Sequence, residues 1–418
     1  MQPALGIIAD DFTGAVMVAA LLEGRGVHCP VLFRPDGLIG SAGAGALIAA
    51  ARSRTIEAGK ALTEIAAWHE ALTAAGCRRI VYKACATFDS TEAGNIGPAA
   101  DFLASQGGRR PVLMSAGFPR YGATVHQGYL FYRTRLVSDS IKRLDPLTPM
   151  NDPDLVRFLG RQTPHRVGLV SHLTLAKGIH AVQAAVADLV AAGAGHVLFD
   201  ASDDGDVALT ADLAAQLDLP VVASDPLIEE LAVRLCERVS APPPPMTPPP
   251  SRVAVLAGST GPVVLGQLEA LNHPVLVLDL LDPRGPEDVV ADALDWSARQ
   301  AGSFAISTAT DAQGLARSQA VHGAMGAARL AEDLLGRIVR GLHQRGLRRF
   351  VVAGGETSGA VVAALGLGAA RALVEDGLGP GVCISQGSDP VWLFLKSGKL
   401  GSQDVLLRAI QRGEGKRP

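Results

Sequence analysis

Arg348-Arg349-Phe350-Val351-Val352-Ala353-Gly354-Gly355-Glu356-Thr357-Ser358-Gly359-Ala360-Val361-Val362-Ala363-Ala364-Leu365 reads as a strand, a glycine turn and the start of a helix. The short β-branched and aromatic run suits a strand buried on both faces. Two glycines permit a tight backbone path, and a hydroxyl pair then precedes an Ala/Val/Leu helix. A turn of this kind leaves backbone N–H groups pointing outward at the positive end of the helix dipole, a seat for a phosphate. It is neither a Walker A loop nor a dinucleotide fingerprint, so by itself it indicates an anion and nothing narrower.

The same alternation extends along the chain. Strand-like runs at 5–9, 46–50, 79–82, 111–114, 166–170, 196–199 and 220–222 are separated by helical stretches, and further runs follow at 252–257, 274–278, 303–307, 350–353 and 391–395. This order predicts an α/β protein with mostly parallel sheets in two domains. Between the two sets lies Ser240-Ala241-Pro242-Pro243-Pro244-Pro245-Met246-Thr247-Pro248-Pro249-Pro250-Ser251, which cannot enter a helix or a central strand. It predicts a semi-rigid linker at 240–251 that joins domains at 1–239 and 252–418. Two domains hinged in this way suit a cleft enzyme.

The chain has 418 residues, 48% hydrophobic and 19% charged, enough for two buried cores. Aromatics are only 4%, and abundant small side chains suit helices packed closely on sheets. A formal net charge of −3 points away from nucleic acid. The five cysteines are scattered without a CxxC, which argues for a reducing cytoplasm and against a zinc site. No signal peptide and no membrane span are expected, because the chain opens on a strand and the apolar run at 43–51 is too short. Oligomeric state is left open, a homo-oligomer included.

The polar clusters follow strand-like runs, where open α/β sheets bind ligands. Asp10-Asp11-Phe12-Thr13-Gly14 comes first. Asp11 or Thr13 suffices as a helix cap, so a second adjacent carboxylate asks for a cation, a donor or a substrate hydroxyl to relieve the repulsion. Arg54, after the run at 46–50, could fork onto a carboxylate. Lys83 ends an apolar strand, where a lysine needs a partner. Asp89, Ser90, Thr91 and Asn95 offer donors and acceptors suited to a polyhydroxylated acid. The segments 124–128 and 146–152 read as loops, the second with an Asn151 or Asp152 cap for a helix after Pro153. In the second half, Gly258-Ser259-Thr260-Gly261 and Lys396-Ser397-Gly398-Lys399-Leu400-Gly401 join the opening turn as polar, glycine-rich strand ends. Three such turns in one domain point to a polyphosphate ligand.

Together these residues resemble the four-carbon acid sugar kinase family over nearly the whole chain. Its ADDxTGA stands as Ala9-Asp10-Asp11-Phe12-Thr13-Gly14-Ala15, its AGGETSGAV at 353–361 and its LKSG as Leu395-Lys396-Ser397-Gly398. STFDSTxxGNIGP, typical of its 3-oxo-tetronate kinase branch, stands at 86–98 with Ala86 for the first Ser, and PLTPM stands at 146–150. The resemblance implies ATP with Mg²⁺ in the second domain and phosphorylation of the terminal hydroxyl of a four-carbon acid in the first. It implies that Asp10, Asp11, Thr13, Arg54, Lys83, Asp89, Ser90 and Asn95 face the acid. One of Asp10 and Asp11 would orient or deprotonate the attacking hydroxyl, the other would help place magnesium, and no metal ligand is assigned. Ser259, Thr260, Gly354, Gly355, Glu356, Thr357, Ser358, Gly359, Lys396, Ser397 and Gly398 would hold the nucleotide.

The chain also departs from the family pattern. GSCS becomes Gly258-Ser259-Thr260-Gly261, KSGNFG becomes Lys396-Ser397-Gly398-Lys399-Leu400-Gly401, an Arg becomes Ala123, and TGGSGLA is replaced by Ala223-Ser224-Asp225-Pro226-Leu227-Ile228. The last two changes bear on the choice among 3-oxo-tetronate, threonate and erythronate. A nucleotide or metabolite sensor without catalysis is the rival from another class. A dinucleotide oxidoreductase is disfavoured, because no GxGxxG follows a strand.

Overall fold

Parallel strands buried on both faces dominate both halves of the chain. The computed structural model describes residues 2–38, 43–145, 147–237, 250–258, 261–374, 378–379 and 381–415. It divides into two compact units, Met1–Pro30 with Ser41–Pro242 and Val31–Gly40 with Pro243–Pro418. Most of the proline-rich linker, together with Pro146, Ser259 and Thr260, lies outside the described residues.

In the first unit the strands run Ala46–Ala50, Leu5–Ala9, Arg79–Lys83, Val221–Ala223, Val112–Ser115, Ala194–Phe199 and Arg166–Val170, every neighbouring pair parallel. Leu5–Ala9 is wholly buried, as a continuous apolar run between helical layers should be. Ala9 is level with Ala50 on one side and Lys83 on the other, and Lys83 with Ala223. From Leu5–Ala9 the chain goes first to one neighbour and then to the opposite one. The sheet therefore reverses direction here, the place where open α/β sheets form a crevice. Four helix starts and turns, after Ala9, Ala50, Lys83 and Ala223, are brought to one edge.

A three-stranded antiparallel ribbon, Ala123–His126, Tyr129–Tyr132 and Arg135–Leu136, is inserted in this unit. The segment 124–128, expected as a loop, is therefore half strand and half hairpin turn. Gln127 and Gly128 both take positive φ (51° and 80°), the geometry a two-residue hairpin requires. The helix Leu155–Gly160 is capped by Asp154, which accepts from Arg157 N at 3.0 Å, rather than by Asn151 or Asp152. Asp152 instead accepts from Asp154 N and from the Arg157 side chain.

The second unit orders its strands Val275–Val277, Phe304–Ser307, Val253–Ala257, Arg349–Ala353, Trp392–Lys396, Val382–Ser385 and Ala369–Ala372. The first five are parallel, and the last two join as antiparallel neighbours. Register aligns Ser307, Ala257, Ala353 and Lys396 across the sheet, so their following turns share one edge. On one face Val253, Val255, Trp392 and Phe394 pack with Val405, Leu406 and Ile410 of the terminal helix Val405–Gly413. This unit also holds a strap from early in the chain. Phe33 N donates to Gly368 O at 2.9 Å, and Gly37 lies so near the Gly368 backbone that a Cβ would overlap it. Among the described residues no helix is long and apolar enough to cross a membrane.

Candidate active site

In the first unit, the paired carboxylates meet the cations their repulsion demands. Arg54 forks onto Asp10, with Nε to Oδ2 and Nη2 to Oδ1 both at 2.8 Å, and Nη2 also lies 2.9 Å from Asp11 Oδ1. The backbone N–H of Cys85 adds a bond to Asp10 Oδ2 at 3.2 Å. Burial works to raise the Asp10 pKa, but Arg54, then Lys83, outweigh it and hold the carboxyl below the usual range. Asp10 is thus a fixed anion, 3% exposed, while Asp11 keeps 15% of its side chain open. Asp11 caps the helix Phe12–Gly24 by accepting from Gly14 N at 2.9 Å, with Thr13 buried in the same first turn. The Arg54 fork, expected on a substrate carboxylate, is closed on Asp10 instead.

Lys83 lies 3.9 Å from Asp10 Oδ1 and 3.6 Å from Asp225 Oδ1, beyond hydrogen-bond length from both. Burial pulls its pKa down, yet Asp225 and Asp10 raise it further, so it stays an ammonium. A Cβ on Gly14 would overlap both Lys83 Nζ and Asp11 Oδ1, so the lysine tip rests in the place a side chain would fill. Asn95 fastens the Arg54 loop through Nδ2, which donates to Ser53 O and Ile56 O at 2.5 and 2.8 Å. Its Oδ1 is buried without a hydrogen-bond partner among the described residues. Asp89 accepts from Thr87 Oγ1 at 2.6 Å and Lys142 Nζ at 2.9 Å, and Ser90 Oγ accepts from Gln162 at 3.2 Å. These bonds make Asp89 and Ser90 a braced floor.

Two residues of this neighbourhood escaped the sequence reading. Lys142 is buried beside Asp89, and a lysine in a 3₁₀ turn carried no signal without its partner. Asp225 opens the helix Asp225–Leu235, 2% exposed, where an acidic first-turn residue is ordinary as sequence. Only the departure from TGGSGLA marked its segment.

In the second unit Lys396 ends the Trp392–Lys396 strand, and its carbonyl accepts from Gly354 N at 2.9 Å. Its side chain is 5% exposed, and its ammonium has no hydrogen-bond partner among the described residues. Burial alone lowers its pKa to about 8. The flanking Gly354 takes φ 136°, which only glycine adopts easily, and begins the helix Gly355–Ala364. Glu356 and Thr357 lie in its first turn with Gly355, and Gly359 is buried one turn on. Ser358, expected to offer its hydroxyl to a ligand, is fully buried and donates to Gly354 O at 2.7 Å. Gly258 passes so near Thr357 Oγ1 that a Cβ there would overlap it. The turn carrying Ser397 and Gly398 is fixed from below by Gln267, whose Nε2 reaches Leu400 O, Gly401 O and Ser402 O at 3.0–3.2 Å. A buried cation between helix start and glycine turns is what a bound polyphosphate would complete.

Comparison with known proteins also divides the chain in two, with 31–40 counted in the first part. Residues 5–231 match the family described as a sugar-binding N-terminal domain, and residues 254–406 that described as a nucleotide-binding C-terminal domain. A 3-oxo-tetronate kinase of Burkholderia multivorans is 36% identical, covering 99% of this chain and 98% of its own length. The 3-oxo-tetronate kinase of Methylobacterium radiotolerans is 37% identical, covering 98% and 99%. Among solved structures, a Salmonella typhimurium protein described as a tRNA synthase superposes with a TM-score of 0.78 at 30% identity, covering 97% of this chain and 98% of that one.

Proposed function

Because the chain belongs to the four-carbon acid sugar kinase family, we propose that it transfers the γ-phosphoryl group of ATP to the terminal hydroxyl of 3-oxo-tetronate. The observation that carries the nucleotide half is Lys396, a buried ammonium with no hydrogen-bond partner beside two glycine turns. A phosphate supplies what the protein leaves out. Strand register puts the Gly355–Ala364 start and the turns that follow Ala257 and Lys396 on the same sheet edge.

In the acid half, Asp10 is committed to Arg54, which suits it to hold the site together rather than to accept a proton. Asp11, more open and already oriented by Arg54 and Gly14, takes the attacking hydroxyl. The hydroxyl oxygen bonds to the γ-phosphorus, the bond to the ADP oxygen breaks, and the proton passes to the Asp11 carboxylate. Lys83 faces the carboxylate of the acid, with Thr13, Asn95 and the floor of Asp89 and Ser90 around it. Positioning and charge neutralisation account for most of the rate in such transfers.

Magnesium bound with the nucleotide would supply charge neutralisation of the moving group. It commonly needs only one or two protein carboxylates. Glu356 in the first turn fits that need, although no cluster of three or more His, Cys, Asp or Glu exists among the described residues. All five cysteines are free thiols, which supports a reducing cytoplasm.

A coupled assay of ADP release over 3-oxo-tetronate, threonate, erythronate and glycerate tests the reading. Turnover with 3-oxo-tetronate at least tenfold above the others is expected. Preference for threonate or erythronate transfers the chain to a sister activity, and nucleotide binding without any turnover overturns the kinase reading.

A further inference from the structure

Asp225 belongs to none of the motifs that define the acid site, yet it sits in its floor. The strand before it, Val221–Ala223, pairs with the Lys83 strand on the side away from Asp10, with Ala223 level with Lys83. Three carboxylates, Asp10, Asp11 and Asp225, thus converge on two cations, Arg54 and Lys83. Arg54 satisfies Asp10 with two hydrogen bonds and reaches Asp11, whereas the Asp225 carboxyl has its own backbone N–H and no side-chain donor among the described residues. Its carboxyl is 2% exposed, and Oδ1 has no hydrogen-bond partner among the described residues. Lys83 at 3.6 Å provides charge without a hydrogen bond. Burying a carboxylate oxygen so costs stability unless a donor arrives. Ser224, which could have donated, is turned away to Gly117 O at 2.5 Å.

We propose that Asp225 is a specificity-determining residue of this chain, accepting a hydrogen bond from an inner, non-reacting hydroxyl of the sugar acid. The proposal rests on the reading of the first unit as the acid site. Only a hydroxyl of the acid can donate to this oxygen, and with the terminal hydroxyl met by Asp11 an inner one is left for Asp225, 3.6 Å from the Lys83 ammonium. The Oδ1 acceptor refuses a second carboxylate at this point and rewards a hydroxyl. In place of a glycine-rich turn, the segment Ala223-Ser224-Asp225-Pro226 gives this chain a contact made by a side chain.

Calorimetric titration of the full chain with 3-oxo-tetronate, threonate and 4-hydroxybutyrate is the test. The last keeps the carboxylate and the terminal hydroxyl but has no inner hydroxyl. For Asp225→Ser, affinity for the hydroxylated acids should fall about tenfold or more, the scale of a hydrogen bond to a charged group. Affinity for 4-hydroxybutyrate should stay within about twofold, and Asp225→Asn, which keeps an acceptor oxygen, should recover most of the loss. Equal loss for all three acids assigns Asp225 to holding Lys83 and overturns the proposal, as does no loss for any. Should Asp225→Ser fail to fold, the wild type still decides: inner hydroxyls that add no affinity over 4-hydroxybutyrate overturn it. Intact acid binding without phosphoryl transfer would overturn the kinase reading and leave this contact standing. Failure of the wild type to bind any of the acids overturns both.

Discussion

Nucleotide affinity should fall as pH rises through 8, and Lys396 is the reason. Its amine has a pKa of about 8 in the nucleotide-free protein, lowered from 10.5 by burial. Only the ammonium attracts a phosphate, so binding restores the pKa toward or above its ordinary value. At pH 7 the free amine is already charged, and binding takes up almost no proton. By pH 9 roughly nine-tenths of it is neutral and must be recharged, a penalty of about tenfold in Kd or ~1.4 kcal/mol. Titration of ATP into the protein at pH 7, 8 and 9, with magnesium saturating, reads this directly. At pH 8 about half a proton should be taken up, visible as a dependence of the binding heat on buffer ionisation enthalpy. Lys396→Met should bind ATP more weakly at pH 7 and lose the slope.

The same shift has a stability sign. Between pH 8 and 10.5 the unfolded chain binds more protons at this residue than the folded one, so stability rises across that window. Below pH 8 the folded protein bears the whole penalty, roughly 3 kcal/mol for a shift of this size. Lys396→Met should therefore melt higher than wild type at pH 7 without nucleotide while binding ATP less well. Equal wild-type affinity at pH 7 and 9, or a slope that survives in Lys396→Met, would refute the reasoning.

Three further outcomes follow from the acid site. Asp11→Asn keeps the helix cap and should leave the denaturation midpoint nearly unchanged while kcat drops by about 10²–10⁴, so unchanged turnover would remove Asp11 from proton transfer. Gly14→Ala drives a methyl into the position of Lys83 Nζ and should raise KM for the acid about tenfold while ATP binding is kept, as separate titrations of the two ligands would report. Lys142→Met takes the cation from a buried carboxylate at Asp89 and should destabilise the protein by about 3–5 kcal/mol in urea denaturation; a loss under about 1 kcal/mol would mean that Asp89 does not depend on it.

What could be read in advance followed from how parallel strands are buried. Runs such as 5–9, 46–50 and 350–353 are apolar on both faces, so composition alone marks them. Ala369–Ala372 and Val382–Ser385 passed unnoticed, because four-residue antiparallel neighbours rich in alanine or flanked by glycine carry little pattern. The hairpin at Ala123–Tyr132 hid for a related reason, since Gln-Gly is a weak turn signal beside Asn-Gly. At the acid site, the motifs named Asp10, Asp11, Arg54 and Lys83, but not that Arg54 would close on Asp10. A fork finds whichever carboxylate the register places opposite it, and the alignment of Ala9 with Ala50 decides that. Asp225 and Lys142 meet this site only through neighbours remote in sequence, Lys83 and Asp89, which a single chain read in order does not display.

The strap of Val31–Gly40 bears on how this protein can be taken apart. Unit boundaries are usually sought at the proline-rich stretch, as though one cut would free two modules. Here the second unit borrows a piece of chain encoded long before that stretch, with Phe33 bonded to Gly368. Exchange of nucleotide halves between relatives would thus have to carry two separate segments of the gene. A crossover at the prolines alone leaves the recipient's strap to fit a foreign surface. Recombination within this architecture should therefore favour whole chains over halves, and substrate range should diversify by substitution in place.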